Sequence, residues 1–259
     1  MLLTVNISNS EIGLGFIEDG KLICITSASH EKNRTADEYA CIFKELISLH
    51  GFSASDFDGA IGASVDPSMT DRIVSAVSLL FGIRMHMLTS GTKTGLNILT
   101  DDPTQLGGDL VASAAGALSK YKPPLILVDF GVATTFSVLD KNGSFIGCSI
   151  VPGVTLSSEA LSSHAGLLTH VPQNVPKNCI GTNTKESMQS GSVYGNAAMV
   201  DGMIERIESE LGYKTDVVAS GRIIADNIIP YCKRGIVRDD SLLHIGLANI
   251  YQKNSKKRK

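Results

Sequence analysis

The same pattern opens both halves of this chain. It consists of a short apolar strand, a polar or glycine-containing turn, and two further strands joined by a hairpin signal. In the first half Leu2 to Ile7, Ile12 to Glu18 and Lys21 to Thr26 read as strands, with Ser8-Asn9-Ser10 as the first turn and Asp19-Gly20 as the hairpin. In the second half the strands are Leu125 to Asp129, Thr135 to Asp140 and Ser144 to Ile150, with a turn at Gly131 and Asn142-Gly143 as the hairpin. Helices and short strands follow each meander. A repeat of this kind points to a duplicated α/β architecture with a cleft between its halves. The expected division is 1–118 for the first domain, 119–252 for the second, and 253–259 for a basic tail.

Local signals fill in the elements between. Thr35 and Glu38 fit a capping box, and the helix they open carries Tyr39, Phe43, Leu46 and Ile47 along one face. Gly51 sits at the expected stop. Gly59 to Val65 and Met85 to Leu88 read as strands, and Met69 to Leu80 and Leu110 to Leu118 as helices. A long helix is expected over Lys185 to Leu211, and its Gly191, Gly195 and Gly202 imply close backbone packing. Strands at Asp216 to Ala219 and Ile236 to Val237 alternate with helices at Ile223 to Ile229 and Leu242 to Tyr251.

Composition excludes several functional classes. With 43% hydrophobic and 19% charged residues, the chain can bury a sizeable core. A net charge of −3 gives no general attraction to nucleic acid or to an anionic membrane. The basic run Lys256-Lys257-Arg258-Lys259 reads as a solvated tail rather than an anion patch. No apolar stretch reaches the ~18 residues of a membrane span. Asn6, Ser8, Asn9 and Ser10 interrupt the N-terminal apolar run, which argues against a signal peptide. The five cysteines form no CxxC pair, against both a disulfide framework and a zinc site, and read as small buried residues in a reducing compartment. A cytoplasmic protein is the expectation.

The most chemically suggestive stretch is Val128 to Phe136. Asp129 puts a carboxylate at a strand end, Gly131 permits a tight turn, and Thr134 and Thr135 supply hydroxyls. That combination suits a nucleotide phosphate and its cation. Val132 is out of place, because it puts an isopropyl group where a hydroxyl would serve.

Six segments in order resemble the type III pantothenate kinases: Arg34 to Tyr39, Gly91 to Asn97, Gly107-Gly108-Asp109, Asp129 to Phe136, Pro152-Gly153, and Asn183-Thr184 through Ser187 to Gly191. The resemblance implies two ribonuclease-H-like domains of the acetate and sugar kinase, heat-shock protein and actin superfamily. It implies transfer of the ATP γ-phosphate to pantothenate, the first step towards coenzyme A, using Mg2+ and a monovalent cation (K+ or NH4+). It also implies a homodimer with a composite pantothenate pocket. By resemblance, Asp109 is the general base that takes the hydroxyl proton. Gly107, Gly108, Leu110, Lys93 and Thr184 occupy substrate-side positions. Asn6, Ser8, Asn9, Ser10, Val132 and Thr134 occupy ATP-side positions, and Asp129 matches the monovalent-cation ligand. Local readings stand beside these: Asp109 as a helix cap, Thr184 as an N-cap, and Lys93 as a solvated loop charge.

The departures cluster by function. Asn6 places a neutral amide where the family has a metal-binding carboxylate. Ser8 adds a Cβ where the family has glycine, and Glu11 brings a carboxylate towards the polyphosphate. Leu110 stands in place of an arginine suited to the pantothenate carboxylate. Val132 lacks a hydroxyl, and Gly221-Arg222 replaces a glycine pair. Together they imply that the chain alone is weak or inactive as a kinase. The alternatives are a non-catalytic subunit paired with an intact paralogue, or a pantothenate- or nucleotide-binding regulator.

Overall fold

The structure is a computed structural model that describes every residue except 166, 167, 169, 170, 173 and 256–259, with the side chain of Arg222 also left aside. The basic run at the C-terminus therefore lies outside the described residues. The chain divides into two compact units, one built from Met1–Tyr121 with Ser241–Lys259, the other from Lys122–Asp240.

In the first unit, strands β1 (Leu2–Ile7), β2 (Glu11–Glu18) and β3 (Lys21–Ser29) form the antiparallel meander. Asp19 and Gly20 both adopt positive φ, the conformation that a tight two-residue hairpin demands. Helix α1 (Ala36–Leu49) follows, then β4 (Gly59–Ser64), α2 (Pro67–Phe81), β5 (Met85–Met87) and α3 (Gly108–Lys120). The capping box forms as read: Glu38 N donates to Thr35 Oγ1 at 3.2 Å, and Thr35 N donates to Glu38 Oε2 at 2.6 Å. Tyr39, Phe43 and Ile47 bury completely against Phe16 and the sheet. β4 pairs parallel with β1, and β5 parallel with β4, giving the order β3-β2-β1-β4-β5.

The second unit repeats this order. Strands β6 (Leu125–Phe130), β7 (Ala133–Leu139) and β8 (Phe145–Pro152) form its meander, followed by α4 (Val154–His164), α5 (Thr184–Ser190), α6 (Asn196–Leu211), β9 (Asp216–Ser220), α7 (Arg222–Ile228) and β10 (Val237–Arg238). β9 pairs parallel with β6 and β10 parallel with β9, so the sheet reads β8-β7-β6-β9-β10. Two mixed five-strand sheets of matching topology make this the duplicated α/β fold that the sequence repeat implied. Among the described residues no helix is long and apolar enough to cross a membrane.

Three expectations change. The last helix, α8 (Leu242–Ser255), packs with the first unit, although its sequence position placed it in the second. The long helix of 185–211 is continuous in winding but loosens into a π-helical turn at Gly191–Gly195, between α5 and α6. Ideal Cβ atoms at Gly191, Gly195 and Gly202 would meet nothing within 4 Å, so those glycines do not mark close packing. Finally, Cys41, Cys148 and Cys179 are exposed rather than buried, and all five thiols are free. Burial, aided by the charge of Asp201, pushes the Cys232 thiol up to about 12, which makes it unreactive.

Close packing occurs instead where α3 meets α8. A Cβ on Gly116 would overlap the Leu242 carbonyl, and one on Gly246 would overlap the Ala112 carbonyl. Backbone lies directly on backbone there. We expect Gly246→Ala to lower unfolding stability by about 1–3 kcal/mol through overpacking. Gly202→Ala, in an open helical position, should raise it by about 0.5–1 kcal/mol. Urea denaturation of the two variants checks both signs.

Candidate functional site

In the first unit the candidates of the Ser8 hairpin and of the start of α3 lie at the carboxyl ends of β1 and β4, the edge where ligands bind in open α/β sheets. Asn6 is the penultimate residue of β1, opposite Gly13 of β2 and Ala63 of β4. Its Oδ1 is buried and has no hydrogen-bond partner. Ser8 closes the hairpin that follows. Its hydroxyl donates to Glu11 O at 2.9 Å and accepts from Glu11 N at 3.1 Å, while Ser8 N donates to Glu11 O at 3.0 Å. Asn9 and Ser10 are exposed at the hairpin tip, and Ser10 O accepts from His30 N at 3.1 Å.

Asp109 stands in the first turn of α3, with Gly107 at the N-cap and no side-chain cap present. Gly108 approaches the Ala63 and Leu88 side chains, and Gly107 lies near Val65. Val65 N in turn donates to Ile7 O at 3.0 Å, which ties this turn to the end of β1. The Asp109 carboxylate folds back so closely that a Cβ at Gly107 would collide with its Oδ1. Gly107 therefore serves close approach, whereas Gly108 makes only ordinary contacts. Burial pushes the Asp109 carboxyl above its ordinary range, against the opposing pull of the Leu110 and Asp109 backbone N–H groups. A carboxylate desolvated beside a helix N-terminus is poised as a proton acceptor. Leu110 is half-buried next to it.

Lys93 is exposed, and its loop is held from an element that sequence reasoning did not connect to it. Lys93 N donates to Asn254 Oδ1 at 3.4 Å, Asn254 Nδ2 donates to Lys93 O at 3.0 Å, and Lys253 Nζ donates to Thr94 O at 2.9 Å.

The remaining candidates lie in the second unit. Asp129 is the penultimate residue of β6, opposite Thr135 of β7 and Ser220 of β9, and its Oδ1 accepts from Ser220 Oγ at 2.6 Å. The hydroxyls of Thr134 and Thr135 are buried without partners. Val132 is exposed at the turn, and its carbonyl accepts from Gly153 N at 2.9 Å. A Cβ on Gly153 would overlap the Gly131 and Val132 carbonyls, which explains why Pro152 is followed by glycine. Gly221 has φ +130 and packs on Phe130, and its N–H donates to Asp240 Oδ1 at 3.0 Å. Thr184 is not the N-cap of its helix. Asn183 caps it, accepting from Glu186 N at 3.0 Å, and Thr184 is left exposed at the first helical position.

Two features escaped sequence reasoning. His30 Nε2 lies 3.1 Å from Asp66 Oδ2 beside the Ser8 hairpin, and Ser68 hydrogen bonds hold the Asp66 carboxyl below its usual range. His244 of α8 is buried, with Nδ1 2.8 Å from Thr4 Oγ1. Thr4 Oγ1 donates to Gly15 O at 2.9 Å, so Nδ1 acts as the donor to Thr4. A lone histidine in an apolar helix and a threonine in an apolar strand gave no signal of being paired.

The raised Asp109 carboxyl has a consequence for stability. A folded-state value above the unfolded one means that the folded chain binds the proton more tightly, so stability falls as pH rises from the unfolded value through the folded one. Asp109→Asn removes that penalty. It should raise the melting temperature at pH 7, with the gain shrinking below about pH 4, where the unfolded carboxyl also protonates. Thermal melts of both proteins across pH 3–8 check it.

The type III pantothenate kinase family model matches residues 2–206. Proteins named type III pantothenate kinase from Dictyoglomus turgidum and Roseiflexus sp. are 37% and 35% identical, each over 98% of this chain and over 100% and 99% of their own lengths. Among solved structures, the activator of 2-hydroxyisocaproyl-CoA dehydratase from Clostridium difficile with bound ADPNP superposes with a TM-score of 0.56 at 12% identity, covering 100% of this chain and 98% of that one. Component A of (R)-2-hydroxyglutaryl-CoA dehydratase from Acidaminococcus fermentans gives 0.55 at 12%, covering 99% of each. At such identities the structural likeness speaks for the fold alone.

Proposed function

The chain belongs to the type III pantothenate kinase family, and from that premise we propose that it is built for phosphoryl transfer from ATP to pantothenate but is weak or inactive when alone. The observation that carries this reading is the contrast around β1. Asp109 keeps the environment of a base, while position 6 offers an amide whose Oδ1 is unpartnered, and Ser8 spends its hydroxyl on its own hairpin.

Mg2+ is the ion that the family's chemistry calls for, since it would neutralise charge on the transferring phosphate. The residues at β1 fit it poorly. Mg2+ is usually held through one or two carboxylates besides substrate phosphates. Asn6 supplies only a neutral oxygen, and among the described residues no group of three His, Cys, Asp or Glu is arranged to hold a metal ion. Asp129, with the Thr135 hydroxyl opposite it, offers the hard oxygen set that suits a monovalent cation. On the substrate side, Asp109 accepts the proton of the attacking hydroxyl, and Leu110 offers the pantothenate carboxylate no charge.

A second reading has its own support. Thr184 is exposed and freed from capping by Asn183, so its hydroxyl is available to a neighbouring subunit. In that reading the chain completes the pantothenate pocket of an intact paralogue, as a heteromer rather than a homodimer.

Steady-state assays of the purified chain separate the possibilities. We expect low turnover, a gain of about tenfold or more in Asn6→Asp with Ser8→Gly, and loss of about 100-fold in Asp109→Asn from that restored background. Robust turnover in the unaltered chain would overturn the reading of weak activity. Co-expression with a paralogue tests the second reading, which requires co-elution and a gain in activity lost in Thr184→Ala.

A further inference from the structure

A cleft of roughly 360 Å³ opens in the first unit where the C-terminal half of α3, the last turns of α8 and the loop at Thr94 meet. It is separate from the Asp109 end of α3. Its α3 lining begins at Ala115 and ends at Ser119, about 9 to 15 Å further along the helix axis. The volume lies in the range of small-molecule sites.

The lining divides by chemistry. Leu96, Ala115 and Leu118 form an apolar floor. Asn249 and Gln252 stand three residues apart on α8 and so share a face, bringing two side-chain amides together. Lys253 adds a cation. Its Nζ donates to Thr94 O at 2.9 Å, and no carboxylate among the described residues pairs with it. An ammonium has three donors, so two remain for a ligand. The approach depends on Gly95, whose φ is +78 and whose missing Cβ leaves the space that Nζ occupies. The lysine is thus held in one place by a carbonyl and a glycine notch rather than left sweeping through solvent.

We propose that this cleft binds a small organic carboxylate whose apolar body carries amide or hydroxyl groups. The carboxylate pairs with Lys253, the amide or hydroxyls with Asn249 and Gln252, and the apolar body covers Leu96, Ala115 and Leu118. The site also clamps a loop. Asn254, adjacent to Lys253, binds both the N–H and the carbonyl of Lys93, so an anion on Lys253 steadies the junction of α8 with the loop of 91–97.

The test is titration of the 15N-labelled full chain with sodium pantothenate, which has this chemistry, and with sodium acetate as the bare anion, at constant ionic strength. The expected result is saturable shifts at Thr94, Gly95, Ser119, Asn249 and Gln252 with pantothenate. Acetate should bind at least tenfold more weakly. Lys253→Met, which keeps the stem and removes the charge, should weaken pantothenate binding about tenfold or more. Ala115→Phe, which fills the floor, should abolish it. If that variant fails to fold, the Lys253→Met result alone decides. Shifts around Gly107 to Asp109 report the proposed kinase site and are scored separately. No cleft shifts, non-saturating shifts, equal response to acetate, or full binding by Lys253→Met would each overturn the proposal.

Discussion

The crossing of α3 and α8 is the contact on which the candidate site of the first unit depends. Gly116 and Gly246 remove the side chains that would hold the helices apart, and each faces a carbonyl of the other helix. From this seat α8 acts at three places. His244 drops into a notch left by Gly15, where a Cβ would overlap the imidazole, and bonds Thr4 of β1. Lys253 and Asn254 hold the loop that carries Lys93. The crossing itself fixes the axis of α3, whose first turn presents Asp109. Residues beyond Ser241 thus set the geometry of groups more than a hundred positions earlier. A truncation of α8 would disturb Asp109 and the loop of Lys93 together.

This explains why the domain boundary was hard to read. Local signals carried most of the fold. Alternation with Asp19-Gly20 marked the first hairpin, Thr35 and Glu38 marked α1, and the meander repeat gave both sheets. Each of these is decided by neighbours in sequence. The partner of α8 is not. Its apolar residues announce that it is buried but not against which unit, and Gly246 reads as a helix-weakening residue rather than a contact surface. The same limit produced the opposite error at Gly191, Gly195 and Gly202, where glycines suggested contact and the structure has open space. Asn183 and Thr184 are both good caps by type. Only the geometry of the turn chooses between them, because the residue in extended conformation aims its side chain at the helix start.

The cap reading of Asp109 does not hold, because Gly107 occupies the N-cap position of α3 and no side-chain cap is present. The residue occupies the first turn of α3, where its charge favours the helix dipole, yet burial works against that charge. A residue selected only to stabilise a helix start would be expected at the surface, where the charge is cheap to keep. The half-buried placement, with Gly107 leaving room for the carboxylate, is costly for stability and suited to proton transfer. The residue type told little, whereas the environment distinguishes the two roles.

The duplication allows one more comparison. Asn6 and Asp129 are each the penultimate residue of the first strand of their sheet, flanked by one antiparallel and one parallel neighbour. Their flanks differ. Asp129 lies between Thr135 and Ser220, and the Ser220 hydroxyl donates to it. Asn6 lies between Gly13 and Ala63, which offer no side-chain donor. A carboxylate at position 6 would therefore have neither hydroxyl to stabilise it and would need a bound cation to offset its desolvation. The amide needs none, since an unpartnered carbonyl oxygen costs only about 1–3 kcal/mol. Ser8 completes the change, because its hydroxyl satisfies the hairpin internally. The first-unit turn is thus self-sufficient without an ion, whereas in a turn that must recruit a metal and phosphate the unmet demand for charge is what creates the affinity. The substitutions at positions 6 and 8 act in the same physical direction, which is why they weigh more together than either does alone.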